Sequence, residues 1–383
     1  MTITNPQTRP VAAAAGDGKI RVMVVDDSVV VRGLIVRALE SDPSIEIVGS
    51  VGNGQLAVDR LKRHPAEVVV LDIEMPVMDG LTALPLLLAT DRKLKVLMAS
   101  TLTNRNAEIS MKALQLGAAD YIPKPTAVRE ISGGDDFKRE LVQKVVSLGQ
   151  ARLAQARRGT APATATTTAA APGAPSLLSG PVALRRPGTA IPDVLAVGSS
   201  TGGPQALLTF FTGLKDKINL PVLLTQHMPP TFTQILAQHI EQTTKWPACE
   251  ATDGMVVEPG RVHVAPGDYH MRVERKLGGN ILRLNQEAPE NFCRPAVDVM
   301  LRSVAEVYGA NSLVVILTGM GADGLAGSHP IVEAGGTVVA QDEETSIVWG
   351  MPGMVAKGGL CSAVLPLNDL ADAVARLSTG ADS

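Results

Sequence analysis

Three aspartates stand where a phosphoryl group and a divalent cation could meet. Asp26 and Asp27 follow the apolar run IRVMVV, and Asp72 lies near the end of VVVLDI. In an open parallel sheet, the carboxyl ends of neighbouring strands form the ligand crevice. Three carboxylates gathered there repel one another. A divalent cation relieves that repulsion, and Mg²⁺ suits a few carboxylates completed by waters and phosphate oxygens. Ser100 ends the run KVLMAS, and Lys124 follows a short strand at residues 120–122. A hydroxyl and an ammonium at the same edge each take a phosphate oxygen. Any one of these groups alone reads as an ordinary strand-end residue. Together they read as a metal and phosphate pocket.

A second chemistry is written in the other half. Gly198-Ser199-Ser200-Thr201-Gly202 contains G-x-S-x-G between a strand pattern and a helix pattern. That setting exposes a serine on a sharp turn above a sheet, and the spacing selects Ser200 over Ser199. The competing reading is a glycine turn that cradles an anion at a helix N-terminus. The lysine of a nucleotide-binding loop is missing, since the nearest is Lys215. A serine nucleophile needs a base within reach. Of the six histidines, His227 alone directly ends an apolar strand, as Ser200 follows one. The base in turn needs an acid to fix its tautomer. Asp323 in LTGMGADG and Asp342 in VVAQD both follow late strands. Asp323 is favoured because its glycine neighbours let the backbone bend it inward, whereas Asp342 precedes Glu343-Glu344 in what reads as a solvated turn. The same glycines spell G-x-G-x-x-G, but no acid lies about 20 residues on at a strand end to hold a ribose.

The elements that must position these groups alternate. In the first half, strands are expected at residues 20–25, 46–51, 68–73, 95–100 and 120–122. Helices are expected at 29–40, 55–63, 81–89, 104–116 and 135–152. Continuous apolar strands between helices mean a parallel sheet covered on both faces. The second half resumes with strands at 193–198, 221–226, 312–317 and 337–341. Its helices are expected at 204–211, 233–242, 296–308 and 370–377. An excursion of short β segments is expected at 261–265, 270–275 and 281–284. Between the halves, residues 159–181 hold seven Ala, five Thr, four Pro, three Gly, two Ser and two Leu. Such a segment buries too little apolar surface to offset its ordering entropy. The expected organisation is a disordered leader at 1–18, a first domain at 19–148, a flexible linker at 149–190 and a second domain at 191–380.

Composition narrows the classes. The 383 residues suit two domains. Aromatics are 3%, so the cores must be aliphatic and base-stacking platforms are disfavoured. The net charge of −3 argues against a phosphate-backbone binder. Cys249, Cys293 and Cys361 are an odd set with no C-x-x-C spacing, which fits a reducing compartment. No apolar run reaches membrane-spanning length, and the N-terminus lacks a secretory pattern. The expectation is a cytoplasmic protein with no nucleic-acid partner and no membrane insertion.

Asp26-Asp27, LDIEMPVMDG, Ser100-Thr101 and Lys124-Pro125 resemble a response-regulator receiver. The resemblance implies a flavodoxin-like, doubly wound five-stranded sheet. It implies phosphorylation of Asp72 by a chemotaxis histidine kinase, with Asp26, Asp27 and Asp72 on Mg²⁺. Ser100, Tyr121 and Lys124 match the family's switch residues. GSSTGGPQAL, TQHMPPTFT, HVAPGDYHM, CRPAVDVM and LTGMGADG resemble the catalytic domain of chemotaxis protein-glutamate methylesterases. That family's triad falls on Ser200, His227 and Asp323, and its oxyanion region on Thr201 and Met320. Its first motif is usually GASTGG, and Ser199 here replaces the alanine. The implied activity is hydrolysis of glutamyl methyl esters on methyl-accepting chemoreceptor signalling domains, with deamidation of receptor glutamines as a second reaction. No cofactor is implied for the ester chemistry. Phosphorylation is expected to move a receiver face that covers the catalytic cleft. The alternative is a non-enzymatic response regulator whose second domain binds a partner.

Overall fold

The computed structural model describes residues 18–101, 104–124, 135–158 and 182–380. The leader at 1–17 and the Ala/Thr/Pro-rich centre at 159–181 lie outside the described residues.

The first sheet is built from β1 (Ile20–Val25), β2 (Ile45–Val51), β3 (Val68–Asp72), β4 (Lys95–Thr101) and β5 (Asp120–Lys124). Its order is β2-β1-β3-β4-β5, all parallel. β3 is buried at every position, as a strand covered on both faces must be. The flanking helices are α1 (Val29–Glu40), α2 (Gly54–Leu61), α3 (Gly80–Thr90), α4 (Asn104–Gln115) and α5 (Asp135–Arg158). Ser28, Asn53 and Asp79 cap the first three, each accepting a backbone N–H of the first turn.

The second sheet has seven strands in the order β14-β13-β12-β6-β7-β9-β8, all parallel. They are β6 (Val194–Ser199), β7 (Val222–Gln226), β8 (Ala248–Glu250), β9 (Val262–Val264), β12 (Ser312–Ile316), β13 (Thr337–Gln341) and β14 (Ala363–Leu365). The hairpin of β10 (His270–Lys276) and β11 (Gly279–Asn285) stands apart as an antiparallel pair. The helices are α6 (Gly203–Leu214), α7 (Phe232–Thr244), α8 (Val297–Tyr308), α9 (Leu325–Glu333), α10 (Met351–Lys357) and α11 (Leu367–Ser378). From β6 the chain moves to β7 on one side and returns later to β12 on the other. That reversal opens a crevice at the carboxyl ends of β6 and β12.

Both halves therefore have the expected class, and four details differ. α5 runs to Arg158, into the region expected as linker. Its buried stripe Leu141, Val145 and Leu148 continues to Leu153, and Arg152 pairs with Asp91 at 3.0 Å. Residues 182–190 also pack: Arg185 N–H donates to Cys361 O, and Gly188 N–H to Thr337 Oγ1. Residues 261–265 supply a strand of the main sheet, not of the excursion. With β8, β14 and α10, which were not expected, β9 belongs to elements of three to seven residues. Such elements are too short to display a period.

Candidate active site and acidic pocket

Asp26, Asp27 and Asp72 each offer a carboxylate oxygen within 4.8 Å of the others. Asp26 and Asp72 are buried and Asp27 is exposed. Lys124 Nζ bridges Asp26 at 2.6 Å and Asp72 at 2.7 Å. Burial raises the Asp72 carboxyl above its usual range, Lys124 opposes that shift, and Asp26 adds to it. Two buried acids, one exposed acid and a single lysine leave net negative charge, which fits a hard divalent cation. An adjoining cleft of about 400 Å³ is lined by Asp27, Ile73, Glu74, Met75, Asp79, Leu81 and Ile109. Ser100 is buried, and its hydroxyl donates to Thr101 O rather than to Asp72.

At the second crevice, Ser199 pairs with Gln226 across β6 and β7. Ser200 and His227 immediately follow these adjacent strands. Ser199 is fully buried and its hydroxyl donates to Gln226 Oε1 at 2.7 Å. Ser200 is half-buried, ahead of a turn made by Gly202 at φ +77°. Gly319 lies so close that an added Cβ would sit 3.0 Å from Ser200 Cβ.

The His227 ring touches two partners. Its Nε2 lies 2.7 Å from Asp323 Oδ2, and its Nδ1 lies 3.3 Å from Cys293 Sγ. Among the described hydrogen bonds, none joins the ring to Ser200 Oγ. Burial opposes charge on the ring, but Cys293 and Asp323 outweigh it and hold the imidazolium above its usual range. Burial also works against the Asp323 carboxylate, yet His227 and the N–H groups of Val297 and Asp298 pull it below the usual range. Asp342 instead accepts from Thr345 and makes no bond to His227. The remaining histidines stay away from the ring pair: His263 bonds Val222 O, His270 bonds Ala288 O, and His239 lies near Gln115.

The first domain covers this crevice. Thr201, 1% exposed, donates its hydroxyl to Asp120 Oδ2 at 2.7 Å. Lys144 of α5 holds the same Asp120 oxygen at 2.9 Å. Tyr121 stacks on Phe232, the first residue of α7, with ring centroids 4.4 Å apart. Gln205 of α6 donates to the backbone oxygens of Leu114 and Ala118. Arg139 lies 4.6 Å over the ring of Phe292. Half-buried Met320 packs with Ile347 and Val348 against the apolar cluster of Leu141 and Val145.

Sequence reasoning missed Asp120, Asn291, Cys293 and Asp298. Cys293 and Asp298 were visible only inside CRPAVDVM, where residue type alone gives no direction. Asp120 reads as an ordinary strand start, because its partner is 81 residues away in another domain.

One parallel α/β domain thus rests on a second α/β domain that carries a serine and a histidine–carboxylate pair at the switch point of its sheet. Residues 22–133 match the response regulator receiver domain, and residues 195–374 match CheB methylesterase. A Protein-glutamate methylesterase/protein-glutamine glutaminase 1 of Paramagnetospirillum magneticum is 55% identical, covering 94% of this chain and 96% of its own. Another of the same name, from Rhodospirillum rubrum, is 56% identical over 98% of this chain and 99% of its own. The crystal structure of the Thermotoga maritima CheB methylesterase catalytic domain is 39% identical. It covers 49% of this chain and 98% of its own, with a TM-score of 0.48. The chain belongs to the protein-glutamate methylesterase/protein-glutamine glutaminase family.

Proposed function

We propose that this protein is a receiver-controlled esterase that removes methyl groups from glutamyl esters on chemoreceptor signalling domains, and that it also deamidates receptor glutamines. The observation that carries the reading is the His227–Asp323 pair, at 2.7 Å, beside Ser200 at the sheet's switch point. Ser200 Oγ attacks the ester carbonyl while His227 takes its proton. The acyl-enzyme forms and methanol leaves with that proton. Water then attacks the acyl-enzyme, His227 again carries the proton, and glutamate and Ser200 are restored. Asp323 orients the ring and offsets its charge. Backbone N–H groups near Thr201 and Met320 steady the oxyanion. In the resting arrangement Cys293 holds the ring nitrogen that Asp323 leaves free, and turnover requires Ser200 Oγ to take that place.

Asp72 accepts a phosphoryl group from a chemotaxis histidine kinase, in the cytoplasm. Asp26, Asp27 and Asp72 would hold Mg²⁺, which supplies charge neutralisation for phosphoryl transfer. Lys124 and Ser100 receive the new phosphate oxygens. We take residues 19–158 as the receiver, 159–181 as the tether and 182–380 as the catalytic domain. The direct test is methanol release from methylated receptor membranes, with and without an acyl-phosphate donor and Mg²⁺. No release from either the full chain or residues 182–383 refutes the assignment.

A further inference from the structure

Asp323 is one of two buried carboxylates that hold each other's helices. Asp323 ends the loop before α9, yet it accepts the N–H groups of Val297 at 2.6 Å and Asp298 at 2.9 Å, in the first turn of α8. Asp298 belongs to α8, yet it accepts the N–H groups of Gly324 at 2.9 Å and Gly327 at 2.6 Å, at the start of α9. Each acid thus sits at the positive end of the other's helix, where an anion is stabilised. Asn291 joins them. Its Nδ2 donates to Asp298 Oδ2 at 2.9 Å and to Asp323 Oδ1 at 3.1 Å.

The turn that delivers Asn291 is specialised. Glu290 and Cys293 exchange both backbone N–H···O bonds, while Asn291 at φ +53° and Phe292 at φ +62° carry the chain round. The left-handed region suits asparagine and is costly for phenylalanine. The result aims Asn291 at the acid pair, places Cys293 on His227, and leaves Phe292 76% exposed.

We infer that Asp298 and Asn291 are positioning residues of the esterase, which fix the Asp323 carboxylate against His227 and set the pH range over which His227 works. This rests on the triad reading given above. The groups facing Asp298 are Asp323, His227 beyond it, Cys293 across the turn, and the Arg302–Glu290 pair. α9 turns His329 to solvent. Burial first, and then the neighbouring Asp323 charge, raise Asp298 to about 6. When ionised, Asp298 adds its charge to that of Asp323 in favouring the imidazolium. Removing it lowers the pH at which His227 loses its proton.

The test is the pH profile of kcat and KM for methanol release by the full chain, saturated with acyl phosphate and Mg²⁺. Asp298→Asn should move the acid limb of kcat to lower pH. It should also reduce the plateau about tenfold, the worth of one hydrogen bond to a charged group, with KM unchanged. A residue that only stabilised the fold would lower the amount of active enzyme without moving the limb. If Asp298→Asn does not fold, Asn291→Gly serves, because glycine keeps the positive φ and removes only the amide bridge. It should lower kcat several-fold at constant KM. Profiles that superimpose on the unsubstituted enzyme for either folded variant overturn the inference. Asp323→Asn, run alongside, separates the two readings. If it is inactive while the Asp298 profile is unchanged, only the positioning role falls. If it is fully active, the triad itself falls.

Discussion

Gln205→Ala perturbs the contact between the two domains without touching either chemistry. Gln205 Nε2 donates to Leu114 O and to Ala118 O across the interface. Leu114 O also receives the Gly117 N–H, so truncation chiefly strips the cross-domain donor from Ala118 O. Losing a neutral hydrogen bond of this kind costs about 1–1.5 kcal/mol of docking free energy. That corresponds to a roughly five- to tenfold shift toward the open arrangement. If the closed form is inactive and dominant, the basal rate rises by the same factor. The assay is the initial rate of methanol release from methylated receptor membranes by the unphosphorylated full chain. Saturating acyl phosphate with Mg²⁺ provides the ceiling, and there the variant and the unsubstituted protein should agree. An unchanged basal rate would show that this interface does not restrain the enzyme. A rate altered equally at the ceiling would show that Gln205 acts on catalysis.

Ser200→Ala should reduce methanol release by about a million-fold. Ser199→Ala should leave turnover largely intact and lower the thermal midpoint, because Gln226 Oε1 loses its buried donor. Asp323→Asn should cost roughly ten-thousand-fold in kcat through the wrong tautomer, while Asp342→Asn should cost little; the opposite ranking in steady-state kinetics would move the acid to Asp342. Asp72→Asn should keep the basal rate and lose all stimulation by acyl phosphate, and incorporation of labelled phosphate should vanish with it.

The receiver pocket was legible because Asp26, Asp27, Asp72 and Ser100 stand at the carboxyl ends of strong apolar strands, with Lys124 at the end of a short one. Order along the chain then fixes position in the sheet. Ser200 and His227 were legible for the same reason, as successors of Ser199 and Gln226 on paired strands. Asp323 was harder: it lies beyond β12 in a glycine-rich loop, and only composition separated it from Asp342. The cross-capping of α8 and α9 was not legible at all. It joins residues 25 to 29 apart through backbone N–H groups, which carry no residue signature. The boundary expected near residue 149 lies inside α5. A helix needs only a buried stripe, and α5 keeps one as far as Leu153.

A single strand, β5, reaches both the acidic pocket and the second crevice. At one end of this five-residue strand, Lys124 bridges Asp26 and Asp72. At the other, Asp120 takes the Thr201 hydroxyl, next to Ser200. Between them Tyr121 stacks on Phe232. β5 is an edge strand of its sheet, so one side lacks the ladder that would hold it rigidly. In the proposed mechanism, phosphorylation of Asp72 changes what Lys124 must neutralise, and the strand that carries Lys124 also carries Asp120 and Tyr121. A receiver carboxylate, charge-matched by Lys144 at 2.9 Å, takes the buried Thr201 hydroxyl beside Ser200. In the receiver-controlled mechanism proposed above, undocking exchanges that buried hydrogen bond for water or substrate. That gives the switch two discrete arrangements to choose between, which coupling between distant sites requires.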